Sequence, residues 1–180
     1  TRGMSGLRIG IVGASGYSGA VAARLVAAHP DLTLTFVTSD KLAGCDARKA
    51  LGPLAGDLEF SPNNAAQSLA ADCDAIFLAT PAEVSADLSA RILGTTGGPR
   101  IIDLSGAFRL ETAADYPPHY GFVHPSGEWL ASAWYGLPEL FGPPPADTRL
   151  ISNPGCYPTA TLLALAPLVR AGLVESGGLI

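Results

Sequence analysis

Leu7–Gly19, LRIGIVGASGYSG, is the stretch that decides the fold of this 180-residue chain. Its first six residues are a short apolar run, which predicts a buried strand, and the Ala- and Leu-rich residues after the glycines have helical spacing. The glycines therefore occupy a strand-to-helix turn, where the backbone can approach a pyrophosphate whose charge the helix N-terminus favours. A tight turn without a ligand and a methyltransferase-type nucleotide site share this pattern. The GxxGxxG spacing favours NADP, and the expected cofactor contacts are Gly13, Ser15, Gly16, Tyr17, Ser18 and Gly19.

The same alternation of strand and helix recurs along the chain. Further strands are predicted over Leu32–Val37, Ala75–Leu78, Ile101–Leu104 and Arg149–Ser152. A helix is predicted over Pro81–Leu93. Apolar strands without alternation are typical of a parallel sheet covered by helices on both faces. We therefore expect an α/β protein with a doubly wound Rossmann-type parallel sheet over residues 4–150, followed over 151–180 by the start of a truncated α+β catalytic domain.

Two segments have less regular patterns. Asn63 and Asn64 are expected to cap a short helix through Ala71, because an Asx side chain accepts the free N–H groups of a first turn. Residues 106–145 are rich in Pro, Gly, Tyr and Trp. That composition predicts a long irregular region, of the kind that is functional or wraps over a neighbouring element.

The last predicted helix, Thr159–Ala171, has almost no polar face. Such a helix must be covered on nearly all sides. Residues 175–180 read as a turn that enters a strand, so too few residues remain to cover it. We therefore expect a missing segment or another chain to complete the second domain.

Composition excludes several classes of partner. Hydrophobic residues make up 48% of the chain and charged residues 15%, which predicts a folded globular protein. The net charge is −5 and Lys and Arg form no cluster, so nucleic acid is not an expected partner. The longest apolar runs are shorter than the roughly 20 residues that a bilayer-spanning helix requires, so no membrane association is expected. Three widely spaced cysteines predict neither a disulfide framework nor a metal site, and favour the cytoplasm.

Cys156 is the candidate nucleophile. It lies in the turn Asn153–Pro158, just before a helix, where the partial positive charge of the helix N-terminus favours thiolate over thiol. Cys45 and Cys73 are expected to be small buried hydrophobes. His119 and His124 lie in the irregular region and are candidates to border a substrate pocket. His29 is expected at the end of the first helix, where a cationic side chain is favoured, so a structural role is expected for it.

The end of the second strand gives two conflicting interpretations of the cofactor. Ser39 and Lys41 could hold a ribose 2′-phosphate. Asp40, about 20 residues past the glycine loop, could instead bind a bare ribose 2′-hydroxyl, as in NAD sites.

Four motifs occur in order: GASGYSG at 13–19, DLSGAFRL at 103–110, YGLPEL at 135–140 and NPGCYPT at 153–159. Together they resemble the semialdehyde dehydrogenase family, and within it the N-acetyl-γ-glutamyl-phosphate reductases of arginine biosynthesis. The resemblance implies an NADP-dependent oxidoreductase in which Cys156 forms a thioester with the acyl phosphate, to be reduced to N-acetylglutamate semialdehyde. It adds expected cofactor contacts at Thr80, Pro81, Ser105 and Gly106. Arg109 is the candidate for a substrate anion, since its donors suit a carboxylate or phosphate.

The chain departs from the family pattern at two positions. Ala82 stands where relatives commonly have His, and Asp40 where several have a basic or neutral residue. The family's catalytic His is expected outside these 180 residues, so we expect cofactor binding without turnover from the chain alone. The expected partners are a small-molecule substrate and copies of the same chain in a homo-oligomer. An aspartate- or aminoadipate-semialdehyde dehydrogenase, or a non-catalytic dinucleotide-binding module, remains an alternative.

Overall fold

A computed structural model describes residues 6–125, 127–175 and 177. Seven strands form one parallel sheet in the order β3-β2-β1-β4-β5-β7-β6. They are β1 (Leu7–Val12), β2 (Leu32–Thr38), β3 (Phe60–Ser61), β4 (Ala75–Leu78), β5 (Arg100–Asp103), β6 (Trp134–Tyr135) and β7 (Leu150–Ser152). The helices are α1 (Tyr17–Ala28), α2 (Arg48–Leu51), α3 (Ala66–Ala70), α4 (Ala82–Leu93), α5 (Tyr116–Tyr120), α6 (Gly127–Ser132), α7 (Pro138–Phe141) and α8 (Cys156–Arg170).

The core lies on both faces of the sheet. On one face Ile9, Ile11 and Val37 pack with Ala23 and Val26 of α1. On the other face the strands pack against α4, through a cluster that includes Val12, Ile76, Leu78, Ile101, Ala86, Leu88 and Ile92. The chain moves toward one edge of the sheet from β1 to β2 and toward the other edge from β4 to β5. Because both connections are right-handed, the helices they contain, α1 and α4, lie on opposite faces of the sheet. The predicted doubly wound Rossmann-type sheet is confirmed, and its strand order reverses between β1 and β4, where such folds bind ligands.

The predicted strands agree with the structure to within one residue at each end. The predictions for the two less regular segments are wrong. The short helix that ends at Ala70 has no side-chain cap, because Asn63 bonds to other residues, described below. Residues 106–145 are more regular than expected, since they contain three short helices and the edge strand β6.

Helix α8 begins at Cys156, three residues earlier than predicted, and none of its residues is buried. Leu163 and Leu168 are each 40% exposed. The described residues therefore do not cover this apolar helix, and the second domain at 151–180 stays a prediction. Of the turn and strand predicted over 175–180, residues 176 and 178–180 lie outside the described residues. Within the described ranges, no helix combines the length and apolar character needed to cross a membrane.

Candidate active site

The glycine loop joins β1 to α1 and contains two kinds of glycine. Gly13 has φ +81°, and a Cβ there would lie 2.7 Å from the carbonyl oxygen of Ala79. A Cβ on Gly19 would overlap the carbonyl oxygen of Gly13. A Cβ on Gly16 would meet only that same oxygen, at an ordinary 3.5 Å. Gly13 and Gly19 are therefore required because neighbouring backbone atoms leave no room for a Cβ. Gly16 has open space beside it, which a ligand could occupy.

The exposed part of the loop is suited to an anion. Ser15, Gly16, Tyr17 and Ser18 are all exposed, with Tyr17 96% exposed. Gly16 caps α1 without any side-chain hydrogen bond, so N–H groups of the first turn have no helical acceptor. Free N–H groups at a helix N-terminus, beside the point where the strand order reverses, form the usual cradle for a pyrophosphate. The residues present therefore fit a dinucleotide.

The end of β2 lies directly beside this loop. The hydroxyl oxygens of Ser15 and Ser39 are 2.7 Å apart, and the Ser39 hydroxyl also accepts the N–H of Leu42 at 3.2 Å. Ser39 is buried, while Lys41 and Asp40 are exposed. Ser15 and Ser39, which the sequence assigned separately to the cofactor, thus form one hydroxyl pair.

The four further expected contacts differ in availability. The Thr80 hydroxyl pairs with that of Ser85 at 2.8 Å, which commits it to the start of α4. Pro81 is exposed. The Ser105 hydroxyl accepts the N–H of Ala107 at 3.0 Å, and Gly106 leaves room for the ring of Tyr120, since a Cβ would overlap that ring. Thr80, Ser105 and Gly106 therefore shape loops at the carboxyl edge of the sheet.

Asp103 at the end of β5 was missed by sequence reasoning. It is fully buried, accepts the Ser105 N–H at 3.0 Å, and lies opposite Ser152 in the register of β5 and β7. Among the described residues, Asp103 Oδ2 and Ser152 Oγ have no hydrogen-bond partner. Burial raises the pKa of Asp103, against the lowering effect of its Ser105 hydrogen bonds and of the Arg109 charge. The sequence signal that could have identified Asp103 is an Asp placed directly after the apolar residues of a predicted strand.

Cys156 lies in a cavity of about 760 Å³ at the same edge of the sheet. It is exposed and is the first residue of α8, a helix that Gly155 caps without a side-chain hydrogen bond. The cavity is also lined by Ser18 of the glycine-loop helix and by Arg109. The fold therefore brings the predicted nucleophile, the predicted anion contact and the predicted cofactor loop around one space.

Arg109 is held firmly in this cavity. Its Nε donates to the carbonyl of Asn153 at 3.0 Å and its Nη2 to that of Leu104 at 3.1 Å. Its Nη1 lies 3.1 Å from where a Cβ on Gly155 would be. The guanidinium thus lies against the turn that leads into Cys156, with one edge committed to backbone carbonyls.

Neither His119 nor His124, the two candidates for a substrate pocket, lines the cavity that contains Cys156. His124 is buried, bonds through Nε2 to the carbonyl of Ala107 at 2.9 Å, and packs on Tyr116 with ring centroids 4.6 Å apart. It is therefore a core residue and not a pocket residue. His119 is exposed and does not line the cysteine cavity. His29 ends α1, where its Nδ1 accepts the N–H of Asp31.

The other two cysteines differ from one another. Cys73 is buried as expected, and burial raises the pKa of its thiol. Cys45 is exposed, so the expectation that it is buried is wrong. All three cysteines are free, and the described residues contain no cluster of His, Cys, Asp and Glu that could hold a metal.

Comparison with known proteins identifies the family. The family description "Semialdehyde dehydrogenase, NAD binding domain" matches residues 8–145. N-acetyl-gamma-glutamyl-phosphate reductase of Ectopseudomonas mendocina is 42% identical over 97% of this chain and 50% of its own length. The protein of that name from Brevibacillus brevis is 43% identical over 94% of this chain and 49% of its own. This chain spans about half the length of the curated relatives it matches.

A solved structure supports the fold assignment. Aspartate semialdehyde dehydrogenase with NADP from Candida albicans superimposes with a TM-score of 0.65 at 16% identity, covering 93% of this chain and 48% of that one. At this identity the likeness concerns the fold. With the family match over 8–145, it follows that the chain belongs to the semialdehyde dehydrogenase family and contains that family's NAD-binding domain.

Proposed function

We propose that this chain is the dinucleotide-binding and nucleophile-bearing part of an NADPH-dependent reductase that acts on N-acetyl-γ-glutamyl phosphate. The observation that carries the proposal is the shared cavity, in which the exposed Cys156 thiol, the Arg109 guanidinium and Ser18 of the glycine-loop helix face one space. The names of the curated relatives support this choice of substrate over an aspartyl or aminoadipyl derivative.

Cys156 carries the covalent step. Its thiolate attacks the carbonyl carbon of the acyl phosphate, so that a C–S bond forms, the C–O bond to phosphate breaks, and phosphate leaves with the electron pair. Cys156 is the first residue of α8, and Arg109 Nη1 faces the same turn and offers donors to a substrate anion. Arg109 therefore holds the substrate's phosphate or carboxylate beside the nucleophile.

The glycine loop holds the cofactor. The first-turn N–H groups of α1 and the open space at Gly16 receive the pyrophosphate, and the Ser15–Ser39 hydroxyl pair lies where the adenosine ribose is expected. NADPH, when held by this loop, would supply the hydride that reduces the thioester carbon. Collapse of the resulting oxyanion then breaks the C–S bond, returns the electron pair to Cys156 and releases the aldehyde. Among the described residues, no histidine or carboxylate lines the cavity, so we propose that a further segment supplies the acid–base group for turnover.

Acylation of the chain itself tests the proposal. Incubation with N-acetyl-γ-glutamyl phosphate should add one acyl group at Cys156, detected by peptide mass spectrometry and removed by hydroxylamine. Cys156→Ser is the matched control and should stay unmodified, while Cys45, the other exposed thiol, should not be acylated. Faster acylation by β-aspartyl phosphate would favour the aspartate-semialdehyde alternative. Equal modification of Cys45 and Cys156 would contradict an assembled site.

A further inference from the structure

We propose that Asn63 determines cofactor specificity by sequestering Asp40, so that the carboxylate in the position typical of an NAD site is withdrawn from the ribose. The inference deepens the proposed function, because it presupposes that a dinucleotide binds at the glycine loop. Three hydrogen bonds around Asn63 carry it, and the side chain at 63 had been expected to cap a helix.

Both carboxylate oxygens of Asp40 are occupied. The backbone N–H of Asn63 donates to Asp40 Oδ1 at 2.8 Å, and the side-chain Nδ2 donates to Oδ2 at 2.9 Å. A carboxylate that binds a ribose diol must direct an oxygen at those hydroxyls. The two donors of Asn63 instead hold the carboxylate toward the start of the short helix after β3.

The orientation of the Asn63 amide is determined by its neighbours. Its Oδ1 accepts the Thr38 hydroxyl at 2.6 Å, and the Thr38 oxygen in turn accepts the N–H of Gly13 at 3.2 Å. An ionised carboxylate only accepts hydrogen bonds, so a flipped amide would place oxygen against oxygen at Asp40. Each donor therefore meets an acceptor in a chain of hydrogen bonds that leads from Gly13 through Thr38 and Asn63 to Asp40.

A hydroxyl pair lies beside the cofactor loop, and a cationic residue follows it closely in the sequence. Ser15 and Ser39 form their hydroxyl pair there, and Lys41 is exposed two residues further along the chain. One hydroxyl donates within this pair, which leaves the proton of the other. That proton and the Lys41 ammonium are donors suited to a phosphate, whereas an Asp40 carboxylate facing the same point would repel one. The ligand class favoured at this position is therefore a ribose carrying a 2′-phosphate, as in NADP.

Binding of nucleotide fragments tests the inference. Dissociation constants of 2′,5′-ADP and 5′-AMP are measured by calorimetry for the wild type, Asn63→Ala, Asp40→Ala and the double variant. The wild type should bind 2′,5′-ADP at least about tenfold more tightly than 5′-AMP. Asn63→Ala removes the side-chain donor to Oδ2 and leaves only the backbone N–H on Oδ1, so that the carboxylate can turn, and it should reduce that ratio by about tenfold, about 1.4 kcal/mol. Asp40→Ala should keep or raise the ratio, and the double variant should match Asp40→Ala.

The outcomes separate the two proposals. If the wild type binds neither fragment nor NADP, the proposed function itself fails. If it binds NADP but Asp40→Ala weakens 5′-AMP binding, Asp40 is a ribose ligand and the inference is overturned. The inference is also overturned if Asn63→Ala, at an unchanged melting temperature, keeps the wild-type ratio, or if its effect persists in the Asp40→Ala background. Asp40→Ala changes an exposed side chain, so this arm stays informative even if Asn63→Ala unfolds.

Discussion

Alanine at Gly16 and at Gly19 should separate the loop's role in folding from its role in binding. At Gly19 a Cβ would overlap the Gly13 carbonyl and lie 2.9 Å from the Ala14 Cα, and neither backbone atom can rotate away. Overpacking against backbone that cannot move aside costs about 2–3 kcal/mol, the upper part of the usual range. The gain in helix propensity on replacing Gly offsets about 1 kcal/mol of it. Gly19→Ala should therefore destabilise the fold by about 1–2 kcal/mol, a fall in Tm of about 2–8 °C.

Gly16→Ala is the matched variant three residues away. Its Cβ meets only the Gly13 carbonyl, at 3.5 Å. Losing the N-cap preference for Gly costs about 0.5–1 kcal/mol. Alanine also lowers the conformational entropy of the unfolded chain, which stabilises the folded state by about 0.4–1 kcal/mol. Its Tm should therefore stay within about 2 °C of the wild type. Its NADP dissociation constant should nevertheless rise about tenfold or more, because the methyl group occupies the space left for the pyrophosphate.

The assay is a thermal melt followed by fluorescence titration with NADPH on both variants. Weakened binding by Gly16→Ala at unchanged Tm is the informative result. If Gly16→Ala binds NADPH as the wild type does, the pyrophosphate does not lie against Gly16. If Gly19→Ala keeps its Tm, the close contact of that glycine with the loop backbone does not govern folding.

Three further predictions concern the cysteine cavity and its surroundings. Iodoacetamide should label Cys156 about tenfold faster than Cys45, which is also exposed, and label the buried Cys73 slowest. Reactive cysteines typically lie at helix N-termini near cationic groups, and Cys156 begins α8 and shares a cavity with Arg109. Equal rates at the two exposed thiols, by peptide mass spectrometry, would contradict this. Because burial raises the pKa of Asp103, the folded state holds that proton more tightly than the unfolded state, and the associated stability is full below the unfolded pKa of about 3.9 and lost as pH rises through the folded pKa. Asp103→Asn should therefore gain stability relative to the wild type from pH 4 toward neutrality in urea titrations, and a constant difference would refute the assignment. Arg109→Lys loses the fork that spans two backbone carbonyls and should slow acylation of Cys156 while leaving the NADPH dissociation constant unchanged; a parallel loss of both would indicate a purely structural role.

Much of the fold could be predicted because it is encoded locally. The run Leu7–Val12 is apolar apart from Arg8, and its last four residues are all buried, as expected for a strand covered on both faces. Gly13 and Gly19 mark a turn that other residues form only at a cost in stability, since Gly13 has a positive φ and neither glycine has room for a Cβ. Cys156 could likewise be placed near a helix N-terminus from its Pro- and Gly-rich turn. These features depend on residues within a few positions of each other.

The misassigned residues are those whose partners are distant in sequence. Asn63 resembles a helix cap locally, yet it bonds Asp40 and Thr38, 23 and 25 residues earlier, because β3 pairs with β2 and brings them together. His124 lies in a loop-like sequence, yet the backbone carbonyl of Ala107 and the ring of Tyr116 enclose it.

By itself, the sequence determined five of the seven described strands, the glycine turn, the family and the identity of the candidate nucleophile. Only the tertiary structure decided that Ser18, Arg109 and Cys156 line one cavity and that Asp40 accepts two hydrogen bonds from Asn63. The physical reason is that backbone propensity and apolar periodicity act over a few residues, whereas a polar side chain takes its partner from whichever strand the sheet places beside it.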